Sequence, residues 1–275
     1  AATTAPGTYS GNVMCSSTGA TNKTVATSSS SVGQKALTIS GLSAQNKTYD
    51  AGTTATLTGT PSLVGIVGSD DVTLSGTGTG TFSSKTVGTG KTVTVSGYTL
   101  SGAQSARYTL TQPTLSADIT QLGLTIGGSF TANNKDYDGT TSATINNNSL
   151  TLITVLGGDV VNLNPVAVFA DANVGTGKTV TLSASTNISG TDAANYTLSL
   201  SGAPTTTANI NQITSASDYF RSKQTGDWST ASNWESSYDN SSWMTSTLVP
   251  GSSANTVTIR NGHTITVVSN TTIDQ

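Results

Sequence analysis

The chain has 275 residues, of which 11 are Lys or Arg and 14 are Asp or Glu, so its formal net charge is −3. Only 9% of its residues are charged, against about 25% in ordinary soluble domains, which excludes a cation-rich nucleic-acid surface. No apolar stretch approaches the ~18 residues of a membrane span. A single cysteine and a single histidine exclude an internal disulfide framework, a cysteine zinc site and a multi-histidine metal site.

The first segment, residues 1–34, is rich in Ser, Thr and Gly and shows little periodicity. We expect it to contain the end of a preceding module and a linker. Cys15 lies in this segment with no second cysteine to pair with, so we assign it no role.

The next part of the chain contains an internal duplication with a spacing of about 88 residues, and such repeats define the architecture before any local prediction. The matching segments are Asn46–Asp50 with Asn134–Asp138, Val87–Val95 with Val174–Leu182, Tyr108–Leu110 with Tyr196–Leu198, and Ile119–Gln121 with Ile210–Gln212. The spacing is too long for one solenoid repeat and suits a self-contained β-sandwich of about 100 residues. We therefore predict two tandem modules, at residues 35–121 and 122–212.

Within each module, apolar residues alternate with polar ones, as a sheet with one buried face requires. Val93 and Val95 alternate with Thr, and Val180 and Leu182 repeat this pattern. Thr and Val favour strands, and Gly, Asn and Asp interrupt the runs at the spacing of short antiparallel strands. The predicted fold is all-β, with tandem immunoglobulin-like β-sandwich modules in an elongated array, followed by a small Trp-containing β module.

The repeated Asn-Lys-x-Tyr-Asp motif, the Val-Gly-Thr-Gly-Lys-Thr-Val segment and the closing Tyr-Thr-Leu resemble the YDG/MBG-type repeats of large secreted bacterial surface proteins of adhesin-like character. The resemblance covers residues 35–212 and implies an immunoglobulin-like module repeated in tandem outside the cell, with no assigned active site. The second copy keeps Tyr137, Asp138 and Gly139, whereas the first has Ala51 after Asp50 and its glycine one place later. We expect the local turn of the first copy to differ for this reason.

Residues 213–275 have a different character, because all three tryptophans and the only histidine lie there. Val257–Ile259 and Thr264–Val267 predict a hairpin around Asn261-Gly262, a dipeptide suited to a tight turn. The tryptophan spacing resembles a segment that precedes β-solenoid regions in secreted Bacteroidetes-type proteins. We expect a β module that is the truncated start of a β-solenoid, ending at Gln275 on a strand-like stretch.

The motif residues Lys47, Tyr49, Asp50, Lys135, Tyr137, Asp138 and Gly139 have two interpretations. Asp50 and Asp138 either bind a cation or a polar ligand, or accept backbone N–H groups in a turn, with the tyrosine packed at the sheet edge. We favour the turn. A spontaneous amide crosslink of the lysines needs a buried neutral lysine beside a side-chain carbonyl. The obvious partner, Asn195, is Arg107 in the first copy, so the sequence does not support a crosslink in both copies.

Two further patterns suggest ligands but favour structural roles. Gly88–Thr92 and Gly175–Thr179 look like phosphate loops, yet the first glycine of that motif is missing and the following residues alternate as a strand. The weak calcium candidates are Asp70, Asp71, Asp159 and Asp171, which belong to no recognised calcium-binding pattern. We expect solvated loop acids there and no cofactor, with calcium between modules as the open alternative.

The tryptophans Trp228, Trp234 and Trp243 form either a flat platform for sugar rings or the core of the last module. We favour the core, because large aromatic side chains dominate core energetics. We expect His263 to be exposed beside the Asn-Gly turn. The sequence offers no nucleophile, acid and base in a recognisable arrangement, so we do not expect an enzyme.

These observations favour a structural and adhesive segment of a bacterial cell-surface protein, acting outside the cell as an extended stalk or spacer. Its expected partners are neighbouring modules of the same protein, cell-surface glycans or like subunits, with no nucleic acid and no membrane span. One alternative is a carbohydrate-binding module that uses the tryptophan platform. The other is a self-assembling extracellular filament subunit that accepts a strand from its neighbour.

Overall fold

The structure is a computed structural model that describes residues 5–15, 18, 23–26 and 29–268. Strands account for 52% and helix for 4%, so the predicted all-β class is confirmed. Among the described residues, no helix is long and apolar enough to cross a membrane. The predicted strand-like end at Gln275 lies outside the described residues.

The chain forms two compact units. The first contains the described residues up to Leu124 together with Thr154–Asn162 and Ile188–Ser199. The second contains Thr125–Ile153, Leu163–Asn187 and the described residues from Leu200 onward. Segments of the second sequence repeat therefore belong to each unit.

The N-terminal segment contains short strands. These are β1 (Gly7–Tyr9), β2 (Asn12–Cys15), β3 (Lys23–Ala26) and β4 (Ser30–Val32). Strands β1 and β4 pair antiparallel, as do β2 and β3.

The first repeat forms two sheets. Its strands are β5 (Lys35–Ala44), β6 (Lys47–Thr48), β7 (Thr54–Ala55), β8 (Leu57–Val64), β9 (Thr73–Phe82), β10 (Gly88–Ser101), β11 (Tyr108–Thr111) and β12 (Thr114–Thr120). One sheet has the order β6-β12-β10-β9-β7 and the other β11-β5-β8. The pairs β5/β11 and β6/β12 are parallel and the other pairs are antiparallel.

The core of the first repeat follows the predicted alternation. Val93 and Val95 are buried, whereas Thr92 and Thr94 are exposed. One apolar cluster contains Leu37 from β5 and Tyr108 from β11, with Leu100 from β10 packed against it. This cluster therefore includes side chains from both sheets.

The second repeat has the same plan. Its strands are β13 (Leu122–Ala132), β14 (Lys135–Asp136), β15 (Ser142–Ala143), β16 (Ile145–Ile153), β17 (Asn162–Asn164), β18 (Ala167–Phe169), β19 (Gly175–Leu182), β20 (Asn187–Ser189), β21 (Tyr196–Leu198) and β22 (Thr206–Asn211). A five-stranded sheet has the order β14-β22-β19-β18-β15. Residues Leu122–Leu124 of β13 pair parallel with β21 in the first unit, and the rest of β13 pairs antiparallel with β16 in the second.

The Gly-Thr-Gly-Lys segments form β-bulges. The register of β10 against β12 shifts between Gly88 and Lys91, and β19 shifts against β22 at the equivalent place. Gly90 and Gly177 have φ of 58° and 60°, a conformation that favours glycine. The segments thus feed strands and not helices, so they lack the helix N-terminus on which a phosphate loop depends.

The described part of the last module contains six further strands. They are β23 (Tyr219–Ser222), β24 (Gly226–Asp227), β25 (Trp234–Ser237), β26 (Met244–Thr245), β27 (Thr256–Thr258) and β28 (Ile265–Thr266). The order of the main sheet is β26-β25-β23-β27, and β24 pairs with β28.

The hairpin predicted around Asn261-Gly262 is wrong. Strand β27 pairs parallel with β23, and β28 pairs parallel with β24. The turn itself exists, since the His263 amide donates to the Arg260 carbonyl oxygen at 3.0 Å. However, Val257 and Ile265 pack against the aromatic core of the module, and this burial joins each strand to an earlier segment instead of to the other.

Each repeat contains one short 3₁₀ helix, and so does the last module as far as Val268. These helices are Ser105–Arg107, Ala193–Asn195 and Ala231–Asn233. A buried aromatic residue follows directly in each case, namely Tyr108, Tyr196 or Trp234. The recurrence extends the similarity of local structure beyond the two repeats detected in the sequence.

Candidate functional site

In the first copy of the motif, a lysine and an aspartate close a turn. The Lys47 ammonium donates to Asp50 Oδ1 at 2.7 Å and to the Gly52 carbonyl oxygen at 2.9 Å. The Gly52 amide also donates to Asp50 Oδ1, at 2.9 Å. These bonds to Lys47 and to the backbone hold the pKa of Asp50 below its ordinary value, despite opposition from partial burial. This is the backbone-capping geometry that the turn interpretation expects.

The second copy forms the same turn. Lys135 donates to Asp138 Oδ1 at 2.6 Å and to the Thr140 carbonyl oxygen at 2.7 Å, and the Thr140 amide donates to Asp138 Oδ1 at 2.8 Å. The bond from Lys135 is the main reason that the pKa of Asp138 falls to about 2. Gly139 has φ of 75° and Ala51 has φ of 60°. The expected difference between the turns is therefore wrong, because alanine adopts the left-handed conformation here.

The two lysines are ion-paired and only partly buried. Their side chains are bound to the carboxylates of Asp50 and Asp138. Asn195, the partner considered for a crosslink, instead accepts the Val87 amide through Oδ1 at 3.0 Å. Each lysine therefore binds a turn carboxylate, and Asn195 binds a backbone amide.

The tyrosine within the first turn, Tyr49, reaches a carboxylate contributed by the second repeat. The Tyr49 hydroxyl donates to Asp159 Oδ2 at 2.8 Å, and the Tyr196 hydroxyl donates to the same oxygen at 2.6 Å. Lys85 Nζ lies 3.3 Å from Asp159 Oδ1. The two rings meet edge to face, with their centroids 5.4 Å apart. We call these four residues the tyrosine junction.

The electrostatics of the tyrosine junction favour one protonation state. Burial, followed by contact with Asp159, raises the pKa of Tyr49 to about 12, and the same causes raise the pKa of Tyr196 to about 12. The bond from Tyr196 is the main cause that lowers the pKa of Asp159, with further support from Tyr49 and Lys85. Two neutral phenols therefore bind an ionised carboxylate whose side chain is 1% exposed.

Further bonds connect the two repeats beside the tyrosine junction. Gln121 stands between β12 and β13, and its side-chain amide donates to the carbonyl oxygens of Ala194 at 3.1 Å and Tyr196 at 2.9 Å. The buried Asn195 accepts the Val87 amide, as noted above. The contact therefore includes backbone groups of the second repeat as well as side chains.

The tyrosine of the second copy makes a different contact. The rings of Tyr137 and Tyr238 stack, with centroids 5.5 Å apart and an interplanar angle of 29°. Burial, with a contribution from Asp239, raises the pKa of Tyr238. Asp239 accepts the amides of Ser242 at 2.7 Å and Ser241 at 2.9 Å, which lower its pKa. The second tyrosine thus contacts the last module through an aromatic face.

A cleft of about 400 Å³ adjoins this aromatic pair. Its lining includes Tyr137, Asp138, Gly139, Gln212, Asp218 and Tyr238. The cleft combines two aromatic rings with two carboxylates, a composition that suits a polar ligand with apolar faces. No sequence pattern points to this cleft, because Tyr238 and Asp218 belong to no repeated motif.

The four calcium candidates have protein partners. Asp70 accepts the Tyr108 hydroxyl, Asp71 accepts the Ala103 amide, Asp159 accepts the two phenols of the tyrosine junction, and Asp171 pairs with Lys178. Within the described ranges, no three His, Cys, Asp or Glu side chains are grouped so that they could hold a metal ion. The structure therefore brings no candidate calcium site together in this part of the chain.

The three tryptophans do not form one platform. Trp228 and Trp234 lie in the core with their ring centroids 4.8 Å apart at 70°. Their indole N–H groups donate to the carbonyl oxygens of Pro250 at 3.1 Å and Trp228 at 3.0 Å, respectively. Trp243 is half-buried and stacks on the Arg221 guanidinium, 4.0 Å from the ring centroid. The core interpretation is therefore confirmed for two of the three.

His263 is half-buried and not exposed as expected. Its Nδ1 lies 2.9 Å from the Ser222 hydroxyl oxygen, which also accepts the Arg260 amide at 2.8 Å. Ser222 is completely buried, so its hydroxyl is inaccessible to a substrate. The pair ties the Arg260–His263 turn to β23.

Comparison with protein families finds a match to the YDG domain at residues 33–115 and again at residues 120–208. The two matches coincide closely with the duplication seen in the sequence and together span more than half of the chain. No curated protein matches the chain.

Proposed function

We propose, from the premise that this chain belongs to the YDG domain family, that it is a structural segment of an extracellular bacterial surface protein. Its immunoglobulin-like repeats act as a spacer that carries a distal binding region. The observation that supports this function is the tyrosine junction. Here a carboxylate of one repeat is buried under a phenol of the repeat before it.

A spacer needs successive repeats to keep a fixed orientation. A polar linker alone behaves as a flexible coil. In this chain Tyr49 and Lys85 from the first repeat and Gln121 at the repeat boundary each bind a named atom of the second repeat. Charge-assisted hydrogen bonds are short and directional, so this set of bonds restricts the rotation that a linker would permit.

The composition supports an extracellular role. Only 9% of residues are charged and one residue in the chain is cysteine, which suits a β protein that depends on neither salt-bridged helices nor intracellular partners. Immunodetection on intact cells of the source organism, before and after surface protease treatment, tests the location. A signal that appears only after lysis would contradict it.

The spacer function is tested by measuring distances between the repeats. Spin labels are placed at exposed Thr77 of the first repeat and exposed Thr191 of the second, both within the first compact unit, in a Cys15→Ser background. Pulsed electron spin resonance gives their distance distribution. We expect a narrow distribution that broadens in Asp159→Ala. The matched control is Asp171→Ala, which also removes a carboxylate paired with a lysine but lies outside the tyrosine junction. An equally narrow distribution in Asp159→Ala would refute the proposed spacer mechanism.

A second candidate function is carbohydrate binding in the cleft beside Tyr137 and Tyr238. The cleft is lined by the half-buried phenol rings of Tyr137 and Tyr238 and by the exposed carboxylate of Asp138, and aromatic faces with polar edges suit sugar rings. A glycan array with the whole chain tests this function, with Tyr238→Ala as the site variant and Trp243→Ala as the control. Binding that survives Tyr238→Ala, or an array without any hit, would count against this function.

A further inference from the structure

The first repeat carries the same carboxylate–phenol pair that the second repeat uses in the tyrosine junction. The Tyr108 hydroxyl donates to Asp70 Oδ2 at 2.7 Å, and the Tyr196 hydroxyl donates to Asp159 Oδ2 at 2.6 Å. In both repeats the aspartate lies in the loop after the strand that pairs with the first strand of the repeat, and the tyrosine follows the 3₁₀ helix. The two pairs therefore occupy equivalent places in the fold.

The surroundings of the two pairs also correspond. The Val67 amide donates to the Tyr108 hydroxyl at 3.2 Å, as the Leu156 amide does to the Tyr196 hydroxyl at 3.1 Å. The Gln34 side-chain amide donates to the Ala106 carbonyl oxygen at 2.9 Å, as that of Gln121 does to the Ala194 carbonyl oxygen at 3.1 Å. The glutamine in each case stands directly before the first strand of its repeat. The first repeat thus has the acceptor half of a tyrosine junction in full.

The two aspartates differ in what covers them. The Asp159 side chain is 1% exposed because Tyr49 and Lys85 pack over it, whereas the Asp70 side chain is 19% exposed. A pocket of about 70 Å³ opens beside Asp70. Its lining includes Val32, Gly33, Lys35, Val67, Asp70 and Tyr108. The acceptor pair of the first repeat therefore borders accessible space.

The pocket lies where a tyrosine would enter by analogy with the second repeat. The Tyr49 amide donates to the Thr120 carbonyl oxygen at 2.8 Å, so the tyrosine is bound to the residue directly before Gln121. The residue directly before Gln34 is Gly33, and Gly33 lines the pocket. The same backbone position is thus available beside Asp70.

The cation of the tyrosine junction already has a substitute in the first repeat. Arg107 stands where the second repeat has Asn195, and its Nη1 lies 3.8 Å from Asp70 Oδ1. Lys85 holds the equivalent oxygen of Asp159 at 3.3 Å. An incoming repeat therefore needs to supply only the phenol, and not a lysine, to complete the arrangement.

We propose that Asp70 and Tyr108 form the acceptor site for the tyrosine hydroxyl of a further YDG repeat that precedes the first repeat in the same polypeptide. The partner is recognised by a Lys-x-Tyr-Asp turn whose tyrosine donates to Asp70, as Tyr49 donates to Asp159. This inference rests on the proposed role of the tyrosine junction in joining successive repeats.

The test uses the whole chain with a second copy of residues 35–121 inserted between Gln34 and Lys35, which puts an added Tyr49 before Asp70. Asp70→Ala is introduced into the parent chain and into the three-repeat chain, where only the Asp70 of the repeat that follows the added copy is substituted. The denaturant midpoints of unfolding are then measured. We expect the substitution to lower the midpoint about twice as much in the three-repeat chain, because two phenols lose their acceptor there. An equal decrease in both chains would overturn the proposal.

Two further variants exclude indirect effects. Tyr49→Phe in the added copy keeps the ring and is expected to abolish the extra effect of Asp70→Ala. Asp71→Ala, which removes an adjacent carboxylate outside the pair, is expected to shift both chains equally. If Asp159→Ala destabilises both chains while Asp70→Ala shows no extra effect, this inference fails and the spacer function stands. If neither aspartate couples to a tyrosine, both fail.

Discussion

The substitution Asp159→Ala tests the tyrosine junction most directly. In the native chain, Asp159 accepts hydrogen bonds from two buried phenols and pairs with one lysine. Alanine removes both acceptor oxygens at once and leaves the hydroxyls of Tyr49 and Tyr196 without this partner. We expect a loss of stability in the transition that reports on the first unit.

The magnitude follows from the contacts. A hydrogen bond to a charged group contributes about 1.5–3 kcal/mol, and an unsatisfied buried donor costs a similar amount. Two phenol donors therefore give an expected loss of about 3–6 kcal/mol. The Lys85 pair adds little, because its side chain is 43% exposed and water screens the interaction. The loss is a large part of the roughly 5–15 kcal/mol that stabilises a typical domain.

The assay is guanidinium unfolding followed by tyrosine fluorescence and circular dichroism, with Tyr49→Phe and the double variant completing a mutant cycle. We expect a coupling energy above about 1 kcal/mol between Tyr49 and Asp159, as residues in one hydrogen-bond network show. The matched control is Asp70→Ala, which removes the acceptor of one phenol and is expected to cost less than half as much. A loss below about 1 kcal/mol for Asp159→Ala, or no coupling, would refute the reasoning.

Three other predictions concern the turn, the titration of the tyrosine junction and the last core. Gly139→Ala is expected to destabilise the protein by about 1 kcal/mol through its left-handed backbone alone, since no atom lies within 4 Å of the added Cβ. Ala51→Gly is expected to relieve the same strain. Thermal melts of both variants check that the melting temperature falls in the first and rises in the second. The raised pKa values of Tyr49 and Tyr196 predict stabilisation that is complete below pH 10 and is lost as the pH rises to about 12, by up to about 1.4 kcal/mol per pH unit for each phenol. Unfolding of the wild type and of the two Phe variants as a function of pH measures this loss. If the free energy of unfolding falls with pH equally steeply in the variants, these residues are excluded as the cause. Trp234→Ala should cost about 3–5 kcal/mol, measured by urea unfolding, and a loss under about 1 kcal/mol would contradict its place in the core.

Much of the fold could be predicted from local patterns. Alternating Val93 and Val95 specify a buried strand face, and the spacing of about 88 residues between motif copies reveals the duplication. The Asp50 and Asp138 turns were also accessible to sequence reasoning, because an Asx turn depends on residues two positions apart. The strand faces and the turns are determined within a few residues of chain, and the duplication is visible as a direct repeat of sequence.

The tyrosine junction could not be predicted in this way. Asp159 joins Tyr49 across 110 residues, and only the fold brings them together. The aligned positions of Asp70 and Asp159 in the two repeats were a usable signal, but the sequence favoured solvated loop acids there and gave no indication of a phenol partner. Ala51 also led to the wrong expectation that the two turns differ. The bonds made by Lys47 and Gly52 stabilise a backbone conformation that alanine disfavours on its own.

The parallel pairing of β23 with β27 and of β24 with β28 shows a similar limitation. An Asn-Gly dipeptide favours a hairpin locally, but Val257 and Ile265 gain more by burial against Trp228 and Trp234. Long-range burial therefore overrides the preference of the turn.

The first repeat carries a phenol donor in its turn and a carboxylate acceptor in its loop, so its two complementary contact surfaces are different from one another. An interface of this head-to-tail kind is heterologous and does not close on itself. Gene duplication of such a unit copies both surfaces together, so a longer array arises without the need to evolve a new interface at each addition. The length of the protein is then free to change in steps of one repeat.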